Sequence, residues 1–157
     1  MRGTILAVCV SPGGLPKLDV RAARATAAGL TGDGHSHPHI HGGPDRALLL
    51  IARESLEPLR QEGFPVAAGV LGENLTTQGL DFARLAPGMR FRAGEALIEL
   101  TRLRRPCAQL EPLNAGRAGR IQQRLTETPH LAGWYARVLL GGWIRAGDII
   151  ELTEMAV

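Results

Sequence analysis

Short apolar segments separated by glycine and proline run along most of the chain. The 20 glycines and 10 prolines interrupt most stretches that are long enough for a helix, and this punctuation favours many short strands. Residues 4–10 (TILAVCV) are rich in β-branched and apolar side chains, which predicts a strand. Residues 46–51 (RALLLI) form a continuous apolar run, which is typical of a strand that is buried on both faces.

Two short helices are predicted between the strands. The first follows the apolar run, with Ser55 as its N-cap, Pro58 in its first turn and Gly63 at its end. The second covers residues 119–128, where apolar side chains recur at helical spacing, and Pro129 ends it.

Two segments in the second half of the chain resemble each other. They are residues 92–101 (RAGEALIELT) and residues 145–153 (RAGDIIELT). In each, a glycine followed by an acidic residue leads into an alternating strand, so each is predicted to be the second arm of a hairpin. An ancient duplication and two similar hairpins in one β-barrel explain the likeness equally well.

Together these elements predict a mostly β fold with a minor α component. We expect one β-barrel-like domain with two or three short flanking helices, spanning residues 1–157. The length of 157 residues fits a single domain with its own core.

Composition narrows the class of protein. The hydrophobic fraction is 45% and the charged fraction 21%, values typical of a soluble globular protein. No apolar run approaches the roughly 20 residues that cross a bilayer, and residues 5–10 are too short for a signal peptide. Two cysteines, Cys9 and Cys107, are too few for a disulfide framework. We therefore expect a cytoplasmic protein without a membrane partner; a Cys9–Cys107 bridge stays open.

The charge is mildly basic and is carried by arginine. The net charge is +3, and Lys17 is the only lysine among 18 basic residues. A GC-rich coding sequence explains this bias, but guanidinium groups also favour phosphate and carboxylate ligands. Residues 84–124 hold nine arginines and three acidic residues, which favours an anionic ligand there. Without interleaved aromatic residues, nucleic acid is an unlikely partner.

The two cysteines have different surroundings. Cys9 alternates with apolar residues in the first predicted strand, so we expect an inert core side chain. Cys107 follows Arg102, Arg104 and Arg105, and Pro106 breaks the strand before it. Nearby cations stabilise a thiolate, the form that attacks electrophiles and binds metals. A surface-loop cysteine with coincidental arginines is the alternative.

Four histidines, His35, His37, His39 and His41, occupy every second position of one segment. In an extended chain they would project to one side, where imidazoles bind zinc, nickel or copper. Their spacing is not that of a structural zinc site. We therefore expect capture of stray metal in preference to a native metal centre.

Six short blocks, in order, resemble the MOSC family, which is named for the C-terminal domain of molybdenum-cofactor sulfurase. They are residues 29–33 (GLTGD), 41–47 (HGGPDRA), 72–80 (GENLTTQGL), 104–107 (RRPC), 133–139 (GWYARVL) and 142–148 (GWIRAGD). The resemblance extends over residues 5–152. It is nearest to stand-alone bacterial MOSC proteins that detoxify N-hydroxylated base analogues, and it implies a β-rich barrel with flanking helices.

The resemblance also implies a molybdenum–molybdopterin cofactor and places residues around it. Cys107 stands at the family cysteine, a molybdenum ligand in amidoxime-type enzymes and a proposed persulfide carrier in sulfurase domains. Arg104 matches the family arginine and is a natural partner for the pterin phosphate. Asn74 and Thr76 stand where the family builds its cofactor-binding wall. The resemblance also implies that the backbone of the turn formed by His41, Gly42 and Gly43 comes close to the cofactor.

Other residues in these blocks are expected to have structural roles. Asp33 and Asp45 orient the turn in this interpretation, while Trp134 and Tyr135 belong to the core or the barrel rim. The run from His35 to His39 lies outside the family pattern and inherits no role.

The resemblance therefore implies a molybdenum-dependent oxidoreductase that reduces a small-molecule N-hydroxylated substrate. The sequence has no GxGxxG motif and no cysteine cluster, so we expect electrons from a separate electron-transfer protein. The alternative is a non-enzymatic sulfur (persulfide) or molybdopterin carrier that uses Cys107. The sequence predicts no oligomeric state.

Overall fold

The computed structural model describes residues 1–34, 43–114 and 119–154. Their strands, in chain order, are β1 (Arg2–Val10), β2 (Leu18–Asp19), β3 (Ala22–Thr26), β4 (Gly29–Leu30), β5 (Leu48–Ala52), β6 (Leu75–Gln78), β7 (Arg90–Ala93), β8 (Ala96–Leu103), β9 (Trp134–Leu140), β10 (Gly142–Arg145) and β11 (Ile149–Glu154). The α-helices are α1 (Arg53–Gln61) and α2 (Arg120–Glu127), and short 3-10 segments cover Pro44–Arg46, Phe82–Arg84, Ala108–Asn114 and Pro129–Ala132.

Seven strands of the described part close into a barrel. Their order is β11-β7-β8-β9-β5-β6-β1, and β11 pairs back onto β1 to complete the ring. Most neighbours are antiparallel, but β5 and β6 are parallel because α1 lies in the crossover between them. A smaller sheet, β10-β3-β4, lies beside the barrel. The predicted mostly β, barrel-like fold with short flanking helices is confirmed.

Strand β5 separates two apolar clusters. Leu48, Leu50 and Ala52 point into the barrel interior, whereas Ile51 packs outward with buried side chains from both α-helices. All five residues of β5 are buried, so the prediction of a strand buried on both faces is confirmed. The strand begins at Leu48, since the residues just before it form the 3-10 segment Pro44–Arg46.

The helices agree only partly with the prediction. Helix α1 begins directly after β5, so Ser55 is a buried helical residue and its assignment as N-cap is wrong. Pro58 lies beyond the first turn, and the burial of Leu56 and Leu59 offsets its missing backbone donor. Helix α2 is where it was predicted, with two buried apolar residues on one face. No helix in these ranges combines the length and apolarity that crossing a bilayer requires.

The two similar segments fold differently. Strands β7 and β8 form the predicted hairpin, with Ala93 opposite Ala96. The second predicted hairpin is wrong, because β10 pairs with β3 while β11 pairs with β7 and β1. The turn between β10 and β11 is hydrogen-bonded to β1. The Gly147 N–H donates to the Ile5 carbonyl, and the Ile5 N–H donates to the Asp148 carbonyl. This long-range pairing directs the two strands into different sheets.

Candidate functional site

A cleft opens at the end of the barrel where β1 and β8 finish and β5 and β6 begin. It has about 510 Å³ of empty volume, including the solvent space at its mouth. The polar and reactive side chains that line it are Lys17, Arg46, Asn74, Arg104, Cys107, Gln109 and Tyr135. The fold therefore brings together three residues singled out from the sequence, Cys107, Arg104 and Asn74.

Cys107 lies at the edge of this cleft, on the loop that follows β8. It is a half-buried free thiol. Its carbonyl accepts hydrogen bonds from the Leu110 N–H and the Gln122 side chain, both at 3.2 Å. These contacts fix the backbone of the loop, and Cys107 is one of the residues that line the cleft.

Arg104 is buried beneath the cleft, with only 6% of its surface exposed. Its Nη2 donates to the Leu71 carbonyl at 2.8 Å, and its backbone N–H donates to Gly133 at 2.9 Å. Its Nη1 is buried without a hydrogen-bond partner among the described residues. A buried guanidinium donor is costly to leave unpaired. This atom is therefore suited to bind an anionic group that enters the cleft.

Lys17 adds a second buried cation that the sequence reasoning missed. Its Nζ lies 2.7 Å from Asp33 Oδ2, and 8% of its side chain is exposed. The one feature of the sequence that could have drawn attention to this residue is that Lys17 is the only lysine in the chain. Its cost of burial is offset by this ion pair, which holds the ammonium group against the cleft.

Arg46 and Tyr135 also line the cleft and lie close to each other. The guanidinium carbon of Arg46 lies 5.9 Å from the centroid of the Tyr135 ring, and that of Arg102 lies 5.8 Å from it. These distances allow cation–π attraction. Trp134, in contrast, is a core residue whose indole N–H donates to the Phe82 carbonyl. Trp134 therefore belongs to the core, whereas Tyr135 lines the cleft.

Asn74 joins three strands at the floor of the cleft. Its Oδ1 accepts from the Leu49 N–H at 3.0 Å, and its Nδ2 donates to the Cys9 carbonyl at 3.1 Å and to Asp33 Oδ2 at 2.8 Å. Asp33 also accepts from the Ser11 N–H through Oδ1. Since its carboxamide is engaged with the protein, Asn74 contributes a rigid wall. Asp33 positions both Asn74 and Lys17.

Thr76 lies behind this wall and not in the cleft lining. Its hydroxyl donates to Glu73 Oε1 at 3.2 Å, which also accepts from the Gly69 N–H. Glu73 is fully buried, and its Oε2 has no partner in the part of the chain that the structure describes. Burial raises the pKa of the Glu73 carboxyl, while these hydrogen bonds and Arg104 oppose the shift. Thr76 therefore supports the loop that carries Asn74.

The predicted turn at 41–43 is described only at Gly43. His41 and Gly42 lie outside the described residues, as do His35, His37 and His39. Gly43 has a φ of +104° and begins the 3-10 segment that carries Arg46. Its carbonyl accepts from the Arg46 N–H at 3.0 Å. Gly43 thus positions a cationic side chain at the cleft without lining it.

The prediction that Cys9 is a core side chain is confirmed. Its side chain is buried in the barrel wall. Burial, followed by the nearby Glu73 and Asp19 carboxyl groups, raises the pKa of the Cys9 thiol to about 12. Cys9 therefore remains a neutral thiol near pH 7.

Comparison with known families and sequences gives a consistent result. The sequence model of the MOSC domain matches residues 37–151. The chain is 34% identical to protein YiiM of Escherichia coli over 135 residues, which cover 82% of this chain and 58% of that protein. It is 33% identical to the uncharacterized protein YflK of Bacillus subtilis, over 78% of this chain and 55% of that protein. The chain thus spans less than two thirds of the length of both relatives.

Solved structures share the fold. The crystal structure of YiiM from Escherichia coli aligns with a TM-score of 0.72 and 32% identity, over 99% of this chain and 71% of that one. The crystal structure of YiiM from Geobacillus stearothermophilus aligns with a TM-score of 0.79 over 97% and 75% of the two chains. At 24% identity, the second match supports the fold alone.

Proposed function

The chain belongs to the MOSC domain family, and on that premise we propose that it binds a molybdenum–pterin cofactor and reduces N-hydroxylated compounds. The observation that carries this proposal is the buried Nη1 of Arg104, which has no partner among the described residues and belongs to the same cleft as Cys107. One group offers a charged donor for an anion, and the other offers a soft ligand for a metal.

The cations of the cleft fit the phosphate of such a cofactor. Arg104, Lys17 and Arg46 come from three separate parts of the chain, and Nη1 of Arg104 has no partner within the described ranges. Charge-assisted hydrogen bonds from buried cations to phosphate are strong. We therefore assign phosphate binding to Arg104, with Lys17 and Arg46 supplying further positive charge.

Cys107 fits the role of the single protein ligand to molybdenum. Thiolates suit soft, thiophilic metal centres, and this thiol is half-buried beside the anion-binding residues. The bound cofactor supplies the redox chemistry. Cys107 would hold the metal at the edge of the cleft, next to the rigid surface formed by Asn74.

The proposed reaction is a two-electron reduction of the substrate. The N–O bond of the substrate breaks, two electrons and two protons are taken up, and the products are the N–H compound and water. We propose that a separate electron-transfer protein supplies the electrons. Exposed Arg102 and Arg105 line an open groove next to Pro106, and this positive surface suits an acidic donor.

We also propose that the protein works in the cytoplasm. Both cysteines are free thiols, the state that a reducing compartment maintains.

A direct test compares Cys107→Ser with wild type in cofactor-loaded protein, using a chemical reductant and an N-hydroxylated substrate. We expect kcat/KM to fall roughly 100-fold or more, because even outer-shell partners of metal ligands contribute about 10–100-fold. Cys9→Ala, which removes the thiol outside the cleft, is the matched control and should retain activity. Full activity in Cys107→Ser would refute the assignment.

The half-buried thiol in a cationic cleft also suits a persulfide or molybdopterin carrier. This second function predicts an additional sulfur atom on Cys107, or bound pterin without turnover, in freshly purified protein. Intact-mass measurement with and without a reducing agent separates it from the reductase.

A further inference from the structure

A series of hydrogen bonds connects the first turn of α2 with the backbone of Cys107. Helix α2 begins after Gly119, which has no side chain to cap it. Asn114 caps the helix instead, because its Oδ1 accepts from the Ile121 N–H at 2.7 Å. Asn114 Nδ2 donates to Gln122 Oε1 at 3.0 Å, and Gln122 Nε2 donates to the Cys107 carbonyl at 3.2 Å. The start of the helix is therefore tied to the cysteine of the cleft.

The neighbours of the Gln122 carboxamide fix its orientation. Its Nε2 also donates to Glu111 Oε2 at 3.2 Å, so both amide hydrogens are directed at acceptors. A flipped carboxamide would place its oxygen against the Cys107 carbonyl and the Glu111 carboxylate, and its nitrogen against the Asn114 donor. Asn114 is only 2% exposed, and a flip would cost it the bond from the Ile121 N–H. Gln122 therefore presents a donor to Cys107 in one arrangement only.

Helix α2 gives this series of bonds a fixed starting point. Its buried residues Ile121 and Leu125 pack in the same apolar cluster as Ile51 of β5. The Cys107 carbonyl also accepts from the Leu110 N–H, but that bond is local to the loop. The bond from Gln122 crosses 15 positions of the chain and relates the loop to a helix that is packed on the barrel.

We propose that Gln122 is a positioning residue for the Cys107 sulfur and that Asn114 sets its orientation. The inference rests on the proposed function, because residues that orient a metal ligand determine how well the ligand binds the metal. Both side chains lie outside the cleft lining and outside the six blocks that resemble the MOSC family. They act through Cys107, whose loop opens more often when the bond from Gln122 is lost.

Alkylation of the full chain by iodoacetamide tests this role without the cofactor. Gln122→Met keeps the length of the side chain and removes its donor and its acceptor. We expect Cys107 to react about three- to tenfold faster in this variant, because one hydrogen bond no longer opposes opening of the loop. Gln122→Glu keeps the acceptor for Asn114 but has no donor for the Cys107 carbonyl near pH 7. It should react at least as fast, and it tests the same prediction where Gln122→Met fails to fold.

Two further variants distinguish positioning from a general effect on α2. Gln123→Met changes the adjacent glutamine, whose exposed side chain donates to Glu127 of the same helix, and should leave the alkylation rate unchanged. Asn114→Asp keeps the acceptor for the Ile121 N–H, where a carboxylate also suits the helix dipole, but loses the donor to Gln122. It should accelerate alkylation while the helix content, measured by circular dichroism, stays at the wild-type value.

A double-mutant cycle tests whether Asn114 acts through Gln122. Adding Asn114→Asp to Gln122→Met should cause no further acceleration, because the bond that Asn114 orients is already absent. Two independent structural effects would multiply in the double variant. Peptide mass mapping confirms that Cys107 is the residue that is alkylated in each protein.

Molybdenum retention connects this role with the proposed function. Gln122→Met, loaded with the cofactor and passed through gel filtration, should bind molybdenum roughly tenfold more weakly than wild type or Gln123→Met. Faster alkylation in a protein that never binds molybdenum would support the positioning of the thiol and remove the proposed function alone. An unchanged alkylation rate in both Gln122 variants, multiplied rates in the double variant, or molybdenum retained in full by Gln122→Met would overturn the inference.

Discussion

Arg104 and Arg105 are adjacent in the chain but have different environments. Arg104 is buried, with Nη2 bonded to a backbone carbonyl and Nη1 unpaired among the described residues. Arg105 is exposed. Because burial lowers the effective dielectric constant around the Arg104 guanidinium, its charge-assisted bond to an anionic ligand would be the stronger of the two.

We therefore expect Arg104→Gln to lose cofactor while Arg105→Gln retains it. A hydrogen bond to a charged group contributes about 1.5–3 kcal/mol, so affinity should fall roughly 10–100-fold. Pterin retained after gel filtration, measured by fluorescence, gives the comparison. Equal retention by the two variants would show that the buried arginine does not bind the phosphate.

The two cysteines should also differ in reactivity. Cys9 is buried and its pKa is raised to about 12, whereas Cys107 is half-buried at the cleft. Maleimide should therefore label native protein once, at Cys107, and Cys107→Ser should remain unlabelled until it is unfolded. Peptide mass mapping identifies the site. Rapid labelling of Cys9 in the native protein would contradict the buried environment described for it.

At the scale of elements, the turn before β6 holds the cleft together through close backbone contact. Gly69 has a φ of +84°, and a Cβ atom there would collide with the Lys17 carbonyl and approach Cys9 Sγ at 3.3 Å. The Lys17 N–H in turn donates to the Gly69 carbonyl at 2.9 Å. This contact fixes the segment that carries the Lys17 ammonium group.

Gly69→Ala should consequently destabilise the protein more than Gly147→Ala. Gly147 has a similar φ of +95° but open space where the Cβ would lie. Its replacement by alanine therefore costs only the backbone strain, about 1–2 kcal/mol. Gly69→Ala adds a steric term of about 1–3 kcal/mol. Urea unfolding measures both free energies. Equal losses would mean that the Lys17 segment moves aside without cost.

The sequence correctly predicted those elements whose burial follows from the pattern of neighbouring residues. The apolar run in β5 and the apolar face of α2 specify their environments from neighbouring residues alone. The pairing of β10 with β3 could not be predicted this way, because it depends on bonds from the Gly147 turn to β1, far away in the chain. Lys17 was missed for the same reason, as its partner Asp33 and the cleft are formed only by the fold.

At the scale of the whole molecule, a buried carboxyl group makes stability depend on pH. The Glu73 pKa is raised above 4.5, chiefly by burial. Below about pH 4.5 the group is protonated in both states and has no effect on stability. As pH rises from there to the raised folded pKa, the unfolded state releases the proton first, so the folded state loses relative stability.

Glu73→Gln should remove this dependence, since glutamine keeps the acceptor for Gly69 and Thr76 without an ionisable proton. The advantage of the variant over wild type should be absent near pH 4 and should grow as pH rises. Glu57→Gln, at an exposed glutamate on α1, is the control. Melting temperatures across this range provide the measurement, and a constant difference between Glu73→Gln and wild type would contradict the burial effect.

The central claim is that the cleft at Cys107 binds molybdenum through its pterin cofactor, and molybdenum content tests it most directly. Wild type, Cys107→Ser and Cys9→Ala are purified from a host that makes the cofactor, with a host molybdenum enzyme as the positive control. The account predicts close to one molybdenum per chain in wild type and Cys9→Ala, and far less in Cys107→Ser. Molybdenum that is absent from wild type, or retained in full by Cys107→Ser, would contradict it.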